Sequence, residues 1–169
     1  MDVLTHVFLP LTLVYVLRGE FKVWYFPLVL FAVLPDFDVF TGIHRGLFHS
    51  LLFLLPLASA MLGLECLFKR SLEFSVLAVG FMFSHIFLDF LIGGVPLLYP
   101  LVNRGVGVEF PFVLRFGESV SIVDVMPKIV YNVPREVYGE MDAFSGFGIA
   151  IMAVFIIICL KSWREKVYL

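Results

Sequence analysis

Long apolar runs separated by short polar breaks make up most of the chain. A membrane-spanning helix needs about 20 apolar residues, with about 17–25 being usual. We predict an all-α integral membrane protein with about five transmembrane helices, the first two shorter than the others. The predicted spans lie near 3–18, 22–34, 46–68, 72–92 and 143–160, and Pro35 is expected to end the second.

The segment 103–142 breaks this pattern because it is the only sizeable polar stretch. From Val106 to Phe116 every even position is apolar, a period of two that is typical of a half-buried strand. A second strand is predicted within 121–133, broken by Pro127. We therefore expect one membrane domain over residues 1–169, with residues 103–142 inserted as a small strand-containing cap on the membrane surface.

Composition excludes several classes of protein. The 169 residues are 61% hydrophobic and 15% charged, with a mean hydropathy of +1.01. A small domain cannot bury that much apolar surface in its own core, so a soluble enzyme and a disordered chain are both poor interpretations. Net charge is -2 and no Lys/Arg cluster is present, so no nucleic-acid partner is expected.

Charge near the span ends predicts an orientation in the inner membrane. Seven basic residues lie on the side opposite the N-terminus, against five on the N-terminal side, four of which belong to the cap. Positive residues mark the cytoplasmic face. We therefore expect a cytoplasmic C-terminus and an extracytoplasmic N-terminal side.

Seven polar side chains at span ends all reach that N-terminal side in an up-and-down topology. His85 and Asp89 are the clearest pair, because residues four apart lie about 40° apart on one helix face. They also lie deep in an apolar run, where ionisable groups are costly and mark function. The full set is His6, Asp36, Asp38, His44, His49, His85 and Asp89.

Imidazole and carboxylate together are a ligand set for zinc, manganese or iron. Seven donors exceed the needs of one tetrahedral ion, so two or more zinc ions are predicted, with manganese or iron as alternatives. Asp36 and Asp38, two apart in a segment expected to be extended, would present their carboxylates on one side. Arg45 would lie beside the ions, where its planar fork suits a phosphate.

These residues predict a hydrolase. Divalent ions lower the pKa of a coordinated water to about 7 and neutralise charge on a phosphoryl oxygen. Because the site opens at the membrane surface, the expected substrates are phosphoesters of lipids or lipid-linked molecules. Catalytic roles are assigned to Asp36, Asp38 and Arg45.

Four motifs occur in order along the chain: Thr5-His6, Leu34-Pro35-Asp36-Phe37-Asp38, His44-Arg45-Gly46-Leu47-Phe48-His49-Ser50 and Ser84-His85-Ile86-Phe87-Leu88-Asp89. They resemble the YdjM-like family of inner-membrane metal-dependent hydrolases, which is related to zinc-dependent phospholipase C and similar nucleases. That resemblance implies a helical fold with a multi-zinc site, and metal ligands at all seven His and Asp positions with Arg45 nearby. It covers roughly residues 1–105, and departs at Phe48, where the family more often has Thr.

Two other classes of protein, a transporter and a structural membrane protein, would use the same cluster of His and Asp residues. A transporter of metal ions or small solutes would need polar steps leading to both membrane faces. The span halves on the opposite side are nearly pure Leu, Val, Phe and Ile, which favours a one-sided active site. In a structural membrane protein, the bound metal would only hold the fold together.

Overall fold

The computed structural model describes residues 2–68, 71–109, 113–116, 120–124, 126–131, 135–136 and 143–167, with backbone alone at 44, 113–116, 120–124, 135–136, 163 and 165–167. Within these ranges the chain is mainly helical and contains five α-helices, which confirms the predicted fold class at that level. They are α1 (Val3–Arg18), α2 (Val29–Val33), α3 (Leu51–Phe68), α4 (Glu73–Phe90) and α5 (Gly146–Val167).

Three helical runs in the described part of the chain are long and apolar enough to cross a membrane: Val23–Thr41, Leu51–Phe68 and Glu73–Phe90. The apolar helices Val3–Arg18 and Gly146–Ser162 are shorter. Large apolar side chains lie on the outside, for example Phe68 at the end of α3. Such surfaces are a liability in water, and a membrane explains them.

The second helical run is longer than predicted. Pro35 does not end it: the chain continues as a 3₁₀ helix over Leu34–Thr41, after a first 3₁₀ stretch over Val23–Leu28 and the short α2. Pro35 lies in the first turn of this second 3₁₀ stretch, where a missing N–H costs no hydrogen bond. Asp36 and Asp38 are therefore helical, and the expectation of an extended segment is wrong.

The third predicted span begins later than residue 46. A separate 3₁₀ turn covers Leu47–His49, and α3 begins at Leu51. Ser50 between them is extended, and its Oγ accepts a hydrogen bond from the amide of Leu52 at 3.2 Å. This is the usual cap of a helix N-terminus, and it explains why the helix starts there.

The described part of the cap contains strands at the predicted positions. Within 106–116 these are β2 (Gly107–Glu109) and β3 (Val113–Phe116), and residues 110–112 lie outside the described part of the chain. They pair antiparallel with β5 (Lys128–Val130) and β4 (Val120–Asp124), with Pro127 between these two partners as expected. The two-residue strands β1 (Ile43–His44) and β6 (Arg135–Glu136) also pair, and were too short to predict.

Helices α1 and α5 lie side by side and start at the same level. The Asp2 carboxylate caps α1 by accepting hydrogen bonds from the Thr5 amide at 3.2 Å and the Thr5 hydroxyl at 2.6 Å. Ser145, just before α5, donates to the same carboxylate at 2.6 Å. A Cβ on Gly148 would collide with Asp2, so the close approach of the helices requires glycine there.

Asp2→Ala is expected to destabilise the fold by about 1–3 kcal/mol, because it removes a helix cap and a charged hydrogen bond. Burial raises the pKa of the Asp2 carboxyl, but hydrogen bonds from Ser145 and Thr5 outweigh it and hold that pKa below its ordinary value. A depressed pKa stabilises the fold above the unfolded-state pKa of about 3.9, and this contribution is lost as pH falls through the folded-state value.

Thermal unfolding in detergent measures this difference. The gap in free energy of unfolding between wild type and Asp2→Ala should be full at pH 7 and shrink below about pH 3.9. A double-mutant cycle with Ser145→Ala isolates the contact between α1 and α5. A gap that does not change with pH would contradict the role of the carboxylate.

The opposite end of the bundle is held by ion pairs. Arg18 at the end of α1 pairs with Glu73 at the start of α4. Arg18 Nη1 also donates to the hydroxyl of buried Tyr25 at 3.2 Å, and Lys22 Nζ lies 3.8 Å from the same Glu73 carboxylate. These contacts join the end of α1 to the start of α4.

Candidate metal centre

Five of the predicted site residues meet at the end of the bundle that holds the N-terminus. Their side chains come from four separate elements and are all buried. They are His6 of α1, Asp36 of the second 3₁₀ helix, His49 of the 3₁₀ turn, and His85 and Asp89 of α4.

The tautomer of the neutral His85 ring is fixed by a backbone contact. His85 Nδ1 lies 2.6 Å from the carbonyl oxygen of Ala32. A carbonyl only accepts, so Nδ1 carries the hydrogen and the neutral ring presents a lone pair at Nε2. This arrangement is typical of metal-binding histidines, whose second nitrogen donates to a carbonyl or carboxylate.

His49 is held in the same tautomer by a carboxylate. Its Nδ1 lies 2.8 Å from Asp38 Oδ2, so its Nε2 also presents a lone pair when the ring is neutral. The two Nε2 atoms of His49 and His85 are 3.3 Å apart. Two lone pairs at that distance suit a shared cation, either a metal ion or a proton.

The carboxylates close around the same point. Asp89 Oδ2 lies 3.4 Å from His49 Nε2 and 3.8 Å from His85 Nε2, while Asp36 Oδ1 lies 3.4 Å from His85 Nε2. Zinc bonds of about 2.0–2.1 Å in a tetrahedron place neighbouring donors about 3.3–3.4 Å apart. Three of the four separations, including that between the two Nε2 atoms, match those in a cage for one metal ion, and the fourth is 0.4 Å longer.

His6 is a further candidate ligand for the metal ion. Its ring stacks on that of His85, with centroids 3.7 Å apart and planes inclined by 17°. Its Nε2 lies 3.4 Å from Asp89 Oδ1, yet neither ring nitrogen has a hydrogen-bond partner within the described residues. Buried polar atoms without a hydrogen-bond partner are rare, and a bound cation would explain why the His6 ring has none.

The donors form overlapping groups, which limits how many ions they hold. Among the described residues, two groups of side chains have ligand atoms within 4.8 Å of one another, close enough to hold a metal ion: His6 with His85 and Asp89, and Asp36 with His49 and His85. Both use His85, whose Nδ1 is already engaged by Ala32, so these donors suit one ion. A second ion would need donors from elsewhere, and the expectation of two or more zinc ions stays a prediction.

Charge supports the same conclusion. Three buried carboxylates, those of Asp36, Asp38 and Asp89, face one guanidinium, that of Arg45, which gives a net formal charge of -2 with neutral imidazoles. Burying uncompensated charge is costly. One divalent cation would balance the described part of the site.

Asp38 lies elsewhere than expected. In a 3₁₀ helix with about three residues per turn, side chains two apart point in directions about 120° apart. Asp36 consequently faces His85, whereas Asp38 faces the turn at 46–49 and contacts His49 through Nδ1. The structure does not bring the two carboxylates together as a pair.

Arg45 borders the cage, with its Nε 3.1 Å from Asp89 Oδ2 and 15% of its side chain exposed. Its Nη1 donates to the carbonyl of Gly94 at 3.0 Å. Its backbone has φ 59°, a left-handed conformation that costs a non-glycine residue about 1–2 kcal/mol. Strain of this kind clusters at functional sites and is consistent with one here.

The rest of the third motif contributes mainly through its backbone. His44 lies in β1 opposite Arg135, and its side chain is outside the described part of the chain. The Phe48 ring packs edge-on against Phe53 at 4.7 Å, away from the donors. The carbonyls of Ala32 and Gly94, which orient His85 and Arg45, carry no sequence signal because any residue has a carbonyl.

A family model agrees with the motifs. The model described as YdjM inner membrane protein matches residues 1–166. The chain belongs to the YdjM inner membrane protein family. This match extends the resemblance over the cap and α5, and it supports the inner-membrane location of this YdjM member. No curated protein and no solved structure matches the chain.

Proposed function

We propose that the chain is a metal-dependent hydrolase that cleaves phosphoesters of lipids or lipid-linked molecules at the membrane surface. The observation that carries this proposal is the convergence of two imidazole lone pairs, from His49 and His85, with the carboxylates of Asp36 and Asp89. When the imidazoles are neutral, all four groups offer lone pairs, and the other three lie within 3.8 Å of His85 Nε2, an arrangement that suits a divalent cation.

His6, Asp36, His49, His85 and Asp89 would hold the ion, and zinc suits their mixed nitrogen and oxygen donors. When bound, a divalent ion supplies Lewis acidity and makes water a nucleophile at neutral pH. The protein orients the donors through Ala32 and Asp38, which fix the tautomers of His85 and His49. All five donor side chains are buried, where their attraction for a cation is stronger than in water.

Arg45 supports a phosphoryl substrate. Its guanidinium is a planar fork that matches phosphate geometry, and it stands at the exposed edge of the cage. Without a cation the described site carries a formal charge of -2 and repels a phosphate. With one divalent ion that charge is balanced, and Arg45 can bind the phosphoryl oxygens.

A lipid substrate is supported by the surface beside the donors. Phe37 and Phe40 lie on the same 3₁₀ helix as Asp36 but point outwards, and Phe40 is 84% exposed. Their rings contact each other, with centroids 5.9 Å apart. In a membrane these rings lie against acyl chains, about one helical turn from Asp36, which would bind the metal ion. The charge bias of the sequence supports a site on the extracytoplasmic face.

One observation favours a transporter instead. Glu65 is buried near the other end of α3, beside a cavity of about 300 Å³. Its carboxylate, however, accepts the Ser75 amide at 2.6 Å, in the first turn of α4, where Leu72 provides no side-chain cap. Glu65 therefore has a structural role as a helix cap, and a one-sided hydrolase remains the better proposal.

The test combines metal content with turnover on detergent-purified full-length chain. Mass spectrometry should find at least one divalent ion per chain. Release of nitrophenol from bis(p-nitrophenyl) phosphate, and cleavage of phosphatidylglycerol in mixed micelles, should both require that ion and stop on chelation. Metal bound without turnover, together with zinc uptake into proteoliposomes, would contradict the hydrolase and favour the transporter.

A further inference from the structure

We infer that Asp38 is a positioning residue that fixes the His49 ring and the 46–49 turn, and that it does not bind the metal ion. This inference rests on the metal site of the proposed function. It assigns different roles to the two aspartates of the Pro35-Asp36-Phe37-Asp38 motif: Asp36 is a ligand and Asp38 supports one.

The hydrogen bonds of Asp38 hold its carboxylate against the 46–49 turn. Oδ2 accepts the amides of Gly46 at 2.7 Å and His49 at 3.2 Å, and also His49 Nδ1 at 2.8 Å. Oδ1 accepts the amide of Phe48 at 2.9 Å. Each oxygen of an ionised carboxylate offers about two lone-pair sites, so three donors saturate Oδ2, and Oδ1 is bound to the same turn.

Asp36, unlike Asp38, lies among the candidate metal ligands. Its Oδ1 lies 3.4 Å from His85 Nε2, the atom common to both donor groups, and it belongs to one of those groups itself. Asp38 belongs to neither among the described residues. The 3₁₀ geometry separates the two side chains, so one sequence motif supplies both a ligand and its support.

The Asp38 carboxylate thereby positions two parts of the site, the His49 ring and the backbone next to Arg45. It holds the His49 ring directly, and it holds the amide of Gly46, the residue that follows Arg45 in its left-handed conformation. A Cβ on Gly46 would lie 3.4 Å from Asp38 Oδ1 and 3.3 Å from Ile43 Cγ2, so the turn packs closely on the carboxylate. A bond from the His49 ring to a carboxylate also makes Nε2 a better ligand.

The test is a zinc titration of full-length protein in detergent against a competing chromophoric chelator. Asp38→Asn should bind as many zinc ions per chain as wild type, with Kd raised about 10–100-fold, as is typical when a supporting partner of a metal ligand is removed. Asp36→Asn is the matched variant, two residues away with the same chemical change, and should lose stoichiometric binding.

Cobalt spectra separate positioning from ligation. The visible bands of the cobalt-loaded protein should keep their positions in Asp38→Asn, because the donor set is unchanged. They should be lost in Asp36→Asn, which no longer binds the ion stoichiometrically. If the amide of Asp38→Asn disrupts the turn and the variant does not fold, Asp38→Glu retains the charge. It should keep the wild-type spectrum with weaker binding.

Three outcomes would overturn the inference: loss of stoichiometric zinc in a folded Asp38→Asn, a shifted cobalt spectrum in either Asp38 variant, or an unchanged Kd in both. A wild-type chain without zinc binding would overturn it together with the proposed function. A chain that binds zinc as described but cleaves no phosphoester would end the hydrolase proposal alone, since none of these readouts uses turnover.

Discussion

His85→Ala is expected to remove the bound metal ion from the protein. His85 Nε2 lies within 3.8 Å of donors from His49, Asp36 and Asp89, and it belongs to both donor groups. Its loss should therefore weaken zinc binding by more than the roughly 100-fold that the loss of a supporting residue costs at most. Metal content measured by mass spectrometry should fall from at least one ion per chain to background.

Ser84→Ala is the matched control. Ser84 precedes His85 on α4, and its hydroxyl donates to the Phe81 carbonyl at 2.7 Å within the helix. The variant should keep its metal and its fold. Retention of full metal content by His85→Ala would contradict the site. Wild-type protein that never takes up a metal would point to a protonated imidazole as the balancing charge.

Stability gives an independent measurement of the same site. A ligand that binds only the folded state stabilises it by about 2.7 kcal/mol at a free concentration 100 times its Kd. Zinc should therefore raise the unfolding temperature of wild type and Ser84→Ala. It should leave that of His85→Ala unchanged. A zinc-dependent shift that persists without His85 would place the ion elsewhere.

The sequence predicts the inward pair on α4 well because helical periodicity is a strong local rule. His85 and Asp89, four residues apart, lie on one face whatever surrounds them, and both are buried in the structure. The order of the apolar runs likewise brings the ends of four elements to one side. These are properties of spacing, and spacing is visible in the sequence.

The roles of Asp36 and Asp38 were not predictable in this way. Side chains two residues apart lie on one side of a strand but point about 120° apart in a 3₁₀ helix, and Pro35 is compatible with both. The local sequence pattern does not distinguish a strand from a 3₁₀ helix here. Tertiary contacts decide the conformation, because the hydrogen bonds that Asp38 accepts come from the turn that contains His49, about ten positions away.

Arg45→Ala is expected to reduce kcat/KM for phosphoester cleavage about 10²–10³-fold, the usual effect of removing one donor that stabilises developing negative charge. Metal content should not fall. Arg45 Nε lies 3.1 Å from Asp89 Oδ2, so removing the guanidinium removes a cation that competes with the metal ion for that carboxylate. Arg45→Lys should recover only part of the activity, because an ammonium is a point charge without the planar fork.

Arg45→Gly separates substrate binding from backbone strain. Residue 45 has φ 59°, where glycine is relaxed and alanine is not, so Arg45→Gly should be more stable than Arg45→Ala by about 1 kcal/mol. Both variants lack the guanidinium and should lose activity equally. If Arg45→Gly instead kept wild-type kcat/KM, the guanidinium would have no part in catalysis. If activity followed the stability of the two variants, Arg45 would act on the turn and not on the phosphoryl group.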